Sequence, residues 1–272
     1  MKKAYKCALI KEQIEGTKKL IEHNDNLVEI QLLSIKDDLS LINEFSGRVS
    51  SIHLPIEKED RTCNLSTVLK AMEIKNKKFD FLYKIASYAV CENAGLVIHA
   101  NVQLKDVLKS KGYEEFIYFL NKTKVKIYLE NTFDIKNAKD SLLTPVIVSS
   151  ELCKATKSDD IHPLLDVCHY QISLNQFDSN LKINMDEILE IYGYDDMRMH
   201  LCSALGDGGI DGVHGSNFKE NIELLKRIIH KTKEYDPVWI LETAENDYCN
   251  KPNAVWLNNK INEILEVQNE IK

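Results

Sequence analysis

Short apolar runs alternate with longer amphipathic stretches along the whole chain. The runs are AYKCALI (Ala4–Ile10), LVEIQLL (Leu27–Leu33), VSSIHL from Val49, LVIHANV from Leu96, VKIYLEN from Val125, PLLDVCH from Pro163, MRMHLC from Met197 and VWILET from Val238. Continuous apolar runs of this length mark strands buried on both faces, as in a parallel sheet. Between them the spacing predicts helices over Lys11–His23, around Leu39–Phe45, and over Asn64–Asn93, with Gly95 as the left-handed stop. Further helices contain Glu114–Leu120, Ser141–Ala155 and Met185–Tyr192, the last stopped by Gly193. The next opens at Asn217 with Glu220 three residues on, a capping-box pattern, and carries Phe218, Ile222, Leu225 and Ile229 as one apolar stripe before Pro237. Val255–Ile271 closes the chain. Strand–helix units in this order predict an α/β fold, a right-handed parallel (β/α)8 TIM barrel spanning 1–272 as a single domain.

A second pattern lies on the first. Six of the runs end in a metal-type side chain: His53, His99, Glu130, Asp166 with His169, His200 and Glu242. They recur at about 30 to 46 residues, one per strand–helix unit. In a barrel the strand C-termini form one face, so these groups converge. An unpaired buried polar group costs about 1–3 kcal/mol, and a divalent cation is the partner that would satisfy several at once. Glu130, Asp166, His200 and Glu242 form an O₃N set suited to Zn²⁺, or to Mn²⁺. One cation rarely draws on six strands, so His53 and His99 suggest a second, bridged to the first by a carboxylate such as Glu130. Two cations suit phosphoryl displacement. The glycine-rich loop Ala204–Asn217 lacks the Gly-Lys-Ser/Thr ending of a phosphate loop, but its Asp211 and His214 would complete a third cation position. The expectation is one to three ions per chain, with Glu130, Glu242 and His169 as catalytic groups.

Alternation along the strands adds detail. Arg198 shares a face with His200, Lys126 and Tyr128 with Glu130, and Glu29 with Gln31. A buried Arg198 needs a carboxylate, for which Glu29 is a candidate. Cys168 reads as packing, and His23, His162 and His230 as surface residues.

Composition narrows the class. A formal charge of −7 over 272 residues argues against a generally basic nucleic-acid surface. Seven cysteines without a CxxC pair suit reduced thiols in a cytoplasmic setting. There is no long apolar run and no secretory h-region, so no membrane association is expected.

The order His, His, Glu, Asp-x-x-His, His, Asp/His, Glu on successive strand ends resembles the xylose isomerase-like barrel superfamily. The strings LENT around Glu130, DVCH at Asp166–His169 and LET at Leu241–Thr243 are most similar to the apurinic-site endonuclease IV family (AP endonuclease family 2). That resemblance implies zinc-dependent phosphodiester hydrolysis, with ligands at His53, His99, Glu130, Asp166, His169, His200, Asp211, His214 and Glu242. Two features depart from it. Asp211 and His214 are separated by two residues where the family has one, and the SIKDD loop after the second strand lacks the basic and aromatic residues that meet DNA. The expected activity is metal-assisted phosphoester hydrolysis on abasic DNA or a sugar-phosphate-type small molecule. The alternative is a sugar isomerase or epimerase with one metal and Glu130 and Glu242 as its acid–base pair. A non-catalytic ligand-binding barrel is the third reading.

Overall fold

The computed structural model describes residues 2–57, 62–133, 138–177, 185–195, 197–204, 218–245 and 247–270. Eight parallel strands close into a barrel in sequence order: β1 (Lys2–Ala8), β2 (Leu27–Gln31), β3 (Val49–His53), β4 (Gly95–His99), β5 (Lys126–Glu130), β6 (Ile161–Asp166), β7 (Arg198–Leu201) and β8 (Val238–Leu241). β1 pairs with both β2 and β8, which closes the ring. The expected (β/α)8 fold is therefore present. The helices are α1 (Lys11–Ile21), α2 (Leu65–Ile74), α3 (Lys77–Cys91), α4 (Leu104–Lys109), α5 (Tyr113–Thr123), α6 (Ala138–Thr156), α7 (Val167–Phe177), α8 (Met185–Ile191), α9 (Ile222–Thr232) and α10 (Pro252–Glu270), with a 3₁₀ turn at Leu39–Phe45. Among the described residues no helix is long and apolar enough to cross a membrane.

Several boundaries differ from the sequence expectation, each for a local reason. The single helix over Asn64–Asn93 is two: Lys75 turns left-handed (φ 49°), and the Asn76 side chain accepts from the Lys78 amide to start α3. Gly95 is not the stop after α3. Asn93 takes the left-handed position (φ 52°), and Gly95 opens β4, where a Cβ would sit 2.3 Å from the Tyr128 ring. The sixth strand ends at Asp166, and Val167 begins α7. A helix, α4, precedes the expected one after β4. Asn217 lies outside the described residues. Phe218 begins a 3₁₀ turn and α9 starts at Ile222. Of its predicted stripe, Phe218, Leu225 and Ile229 are buried.

Two apolar layers hold the fold. Most buried aliphatic and aromatic side chains lie between the strands and the helices. A smaller cluster of Ala4, Val97, Tyr128, Leu164, Val238 and Ile240 fills the barrel interior. Tyr128 is the large member, and the Arg198 guanidinium lies 4.6 Å from its ring centre. His162 belongs to β6 and is half-buried, stacked 4.6 Å from Tyr194 and 6.0 Å from Tyr128, so it is not a surface residue. His23 and His230 are exposed as expected.

Candidate metal centre

Register places the candidate donors together at the strand ends. His99 pairs with Glu130 across β4–β5, Gln31 with His53 across β2–β3, and Asp166 with His200 across β6–β7. The ends are latched by side chains. Asn131 Oδ1 accepts from the Asp166 amide at 2.7 Å while its Nδ2 donates to the Asp166 carbonyl at 3.0 Å, locking β5 to β6. Asn101 Oδ1 accepts from the Ser66 amide at 3.1 Å and so ties the end of β4 to the start of α2. The Asp-x-x-His spacing also has a local cause. Asp166 is the residue before α7, and its Oδ1 accepts from the His169 amide at 2.7 Å, an N-cap bond. The helix start thus holds the carboxylate in place and lifts His169 to the same rim.

Glu130 lies at the centre, and its two oxygens face different partners. Oε2 is 3.3 Å from His53 Nε2 and 3.5 Å from His99 Nε2. Oε1 is 3.1 Å from His169 Nδ1 and 3.3 Å from His200 Nδ1. His200 Nδ1 also lies 2.7 Å from Glu242 Oε2 and 3.6 Å from Asp166 Oδ2. Ligand-type atoms of His53, His99 and Glu130 fall within 4.8 Å of one another, as do those of Glu130, Asp166, His200 and Glu242. His169 stands in neither group: its Nδ1 is also 2.7 Å from the Asn131 carbonyl, to which it donates. Asp211 and His214 lie outside the described residues.

Outer contacts select the ring nitrogens. His200 Nε2 donates to Glu29 Oε2 at 3.2 Å and lies 3.0 Å from Oε1, and Ser51 Oγ donates to the same Oε2 at 2.7 Å. This leaves His200 Nδ1 for the centre, the carboxylate–imidazole arrangement that orients metal ligands. Glu29 is thus held by His200 and Ser51 rather than serving as the expected counter-ion of Arg198. His53 Nδ1 donates to the Leu54 carbonyl at 2.9 Å, turning Nε2 inward. Lys6, from β1, forms an ion pair with Glu242.

The electrostatics are those of a site built for added positive charge. Glu29, Glu130 and Asp166 are fully enclosed, and Glu242 is nearly so. Burial would lower the His200 imidazole, but Glu29, Glu130 and Glu242 outweigh it and hold it well above its ordinary value. Burial also opposes the charge on His169, yet Asp166 and Glu130 raise it to about 10. At His99 burial wins over Glu130 and the ring falls to about 3, a neutral imidazole. Burial alone would raise Glu130; the charge on His200, the neighbouring His99 ring and the hydrogen bond from His169 hold it well below the usual carboxylate range. Burial would lower Lys6, but Glu242, Glu29 and Glu130 raise it. Two buried atoms at the centre, Glu130 Oε2 and His200 Nδ1, have ion-pair neighbours but make no hydrogen bond. Such atoms are costly unless something else satisfies them. Carboxylate oxygens and imidazole nitrogens converging on one buried spot fit a divalent cation of the zinc or manganese type.

Sequence reasoning placed His53, His99, Glu130, Asp166, His169, His200 and Glu242 on one rim, and the structure brings all seven there. It missed Lys6, Asn131 and Gln31 as neighbours of the donors. Asn131 directly follows Glu130 in LENT, which was the available signal. Lys6 lies inside the expected Ala4–Ile10 run, but as a lysine in mid-strand it carries no metal-ligand signal. Lys6, Gln31, Glu242, Thr243, Tyr248 and Lys251 line a cavity of about 260 Å³ beside the centre.

Fold and donors together define a (β/α)8 barrel with an imidazole–carboxylate centre at its C-terminal mouth. Solved structures give the particular form. A xylose isomerase domain-containing protein from Salmonella typhimurium LT2 superposes with a TM-score of 0.54 at 12% identity, covering 97% of this chain and 96% of that one. The IolI protein, solved with a bound zinc atom, gives 0.52 at 13% identity over 97% and 96%. A xylose isomerase domain protein from Alicyclobacillus acidocaldarius gives 0.52 at 10% over 98% and 99%. The chain has the xylose isomerase-like barrel fold; this likeness does not single out the endonuclease IV branch. No family model matches the chain, and no curated protein matches it.

Proposed function

We propose that this chain is a divalent-metal-dependent phosphoesterase acting on a sugar-phosphate-type substrate or an abasic nucleic acid. The observation that carries the reading is the placement of Glu130, with one oxygen toward His53 and His99 and the other toward His200. A carboxylate facing two donor groups is what a bridged pair of cations requires, and paired cations suit in-line phosphoryl displacement. His53, His99 and Glu130 would hold one cation; Glu130, Asp166, His200 and Glu242 would hold the other. When bound, these ions supply Lewis acidity toward a phosphoryl oxygen and lower the pKa of a water. The chain's own groups do the rest. Glu29 fixes the His200 ring and Asn131 fixes Asp166 and His169. Lys6 offsets the charge of Glu242 and brings a donor to the wall of the adjacent cavity.

A second reading is a sugar isomerase or epimerase, favoured by the barrel likeness to xylose isomerase domain proteins and to zinc-bound IolI. There Asp166, His200, Glu130 and Glu242 would hold a single cation, and the two glutamates would exchange a proton next to a substrate carbonyl. Metal analysis of chelator-free protein, with assays on sugar phosphates and abasic duplex DNA, tests the two. Two or more ions and phosphate release or strand incision support the phosphoesterase. One ion, with exchange of a substrate C–H proton that Glu242→Gln abolishes, overturns it in favour of the isomerase.

A further inference from the structure

We infer that Cys168, Cys202 and Asp166 form a second binding site, for a thiophilic divalent cation, that shares the Asp166 carboxylate with the mouth centre. Cys168 lies in the first turn of α7, and Cys202 directly follows β7. Both are free thiols, fully buried, and their sulfurs lie within 4.8 Å of each other and of an Asp166 oxygen. Cys202 Sγ is 3.8 Å from Oδ1 and 3.7 Å from Oδ2 of Asp166. A zinc-sized ion about 2.3 Å from sulfur and about 2.0–2.2 Å from oxygen, in tetrahedral geometry, separates sulfur from oxygen by about 3.5 Å. The Cys202–Asp166 separations need only a small contraction to meet this.

Simple packing is the competing account, and the shared carboxylate argues against it. The two cysteines sit outside the main core, in a minor cluster with Ile172 that Phe133 and Ala204 flank. The Cys202 thiol is turned toward both oxygens of the Asp166 carboxylate, a contact that packing alone does not call for. Thiolate pairs prefer soft and borderline ions, whereas the mouth donors are imidazole and carboxylate alone. The two sites therefore select differently while sharing Asp166, whose two oxygens are both within reach of the sulfur. The inference goes beyond the proposed reaction and holds whether the mouth hydrolyses or isomerises.

Cadmium is the probe, because thiolate coordination to it produces an ultraviolet charge-transfer band that oxygen and nitrogen ligands do not. The full chain, carrying Cys91→Ser and Cys249→Ser to remove the exposed thiols, is kept reduced without added thiol and titrated with Cd²⁺. The expected result is a band that saturates at one equivalent, weakens in Cys168→Ser or Cys202→Ser, and vanishes in the double variant. Manganese, which prefers oxygen, should produce no such band and should still bind the double variant at the mouth. Absence of the band in the parent chain overturns the site whatever the serine variants do. Persistence of the full band in a double variant that melts like its parent overturns it equally.

Discussion

Glu29→Gln is the most direct probe of how the barrel holds its proposed metal centre. Glu29 lies on β2 and does not line the adjacent cavity, yet its Oε2 accepts the Nε2 proton of His200 at 3.2 Å and the Ser51 hydroxyl at 2.7 Å, fully buried. Glutamine keeps the shape and can still accept from His200, but it loses the charge. Hydrogen bonds to charged groups contribute about 1.5–3 kcal/mol against about 0.5–1.5 for neutral ones, so roughly 1–1.5 kcal/mol of ring orientation is lost. Removing an outer partner of a metal-binding histidine costs about 10–100-fold in affinity, or about 1.4–2.7 kcal/mol. Glutamine should fall near the tenfold end. Glu29→Ala, which leaves Nε2–H without its acceptor, should move toward the hundredfold end. Zinc affinity is read by competition with a chromophoric chelator on metal-stripped protein, with circular dichroism confirming the fold. If both variants fold and bind zinc as tightly as the parent, His200 is not a ligand oriented by Glu29 and the centre described above is wrong.

Other outcomes follow from the same coordinates. His99→Ala should remove one metal equivalent and leave the Glu130–Asp166–His200–Glu242 group loaded; elemental analysis showing unchanged content would assign His99 to substrate instead. The metal-stripped chain should lose stability as pH rises from neutral toward 10. His169 and His200 have folded values above the unfolded one, so their contribution is complete below about 6.5 and disappears as the folded imidazoles deprotonate. Calorimetric melting at stepped pH checks this, and an apo melting temperature that climbs over that interval would contradict the sign. Glu130 acts oppositely, with stability present above the unfolded carboxylate range and lost as pH falls through its depressed value. Gly112→Ala places a Cβ 1.9 Å from the Leu69 carbonyl oxygen, which belongs to backbone and yields little. Overpacking of this kind costs about 1–3 kcal/mol, visible as a lower urea midpoint with unchanged slope.

The strand ends were legible because parallel strands buried on both faces are continuous apolar runs, and a histidine or carboxylate at the end of such a run is conspicuous. That is why the barrel, and the seven residues from His53 to Glu242, could be read from one chain. Element boundaries were less legible. Asn64–Asn93 has an unbroken helical character, and only the left-handed Lys75 divides it. Gly95 looked like a helix stop, but its conformational freedom is not what the position uses; the space taken by Tyr128, a residue from the next strand, excludes a side chain there.

Apolar periodicity and polar strand ends by themselves determined the architecture and the rim on which the donors stand, because burial stamps its pattern on residues near in sequence. Tertiary structure alone decided which oxygen of Glu130 faces which imidazole, that Glu29 serves His200 rather than Arg198, that Lys6 reaches Glu242 across the closure of β1 on β8, and that two cysteines come together beside Asp166. Those are matters of distance between strands far apart in the chain. They are set by barrel register and curvature, which no local pattern encodes.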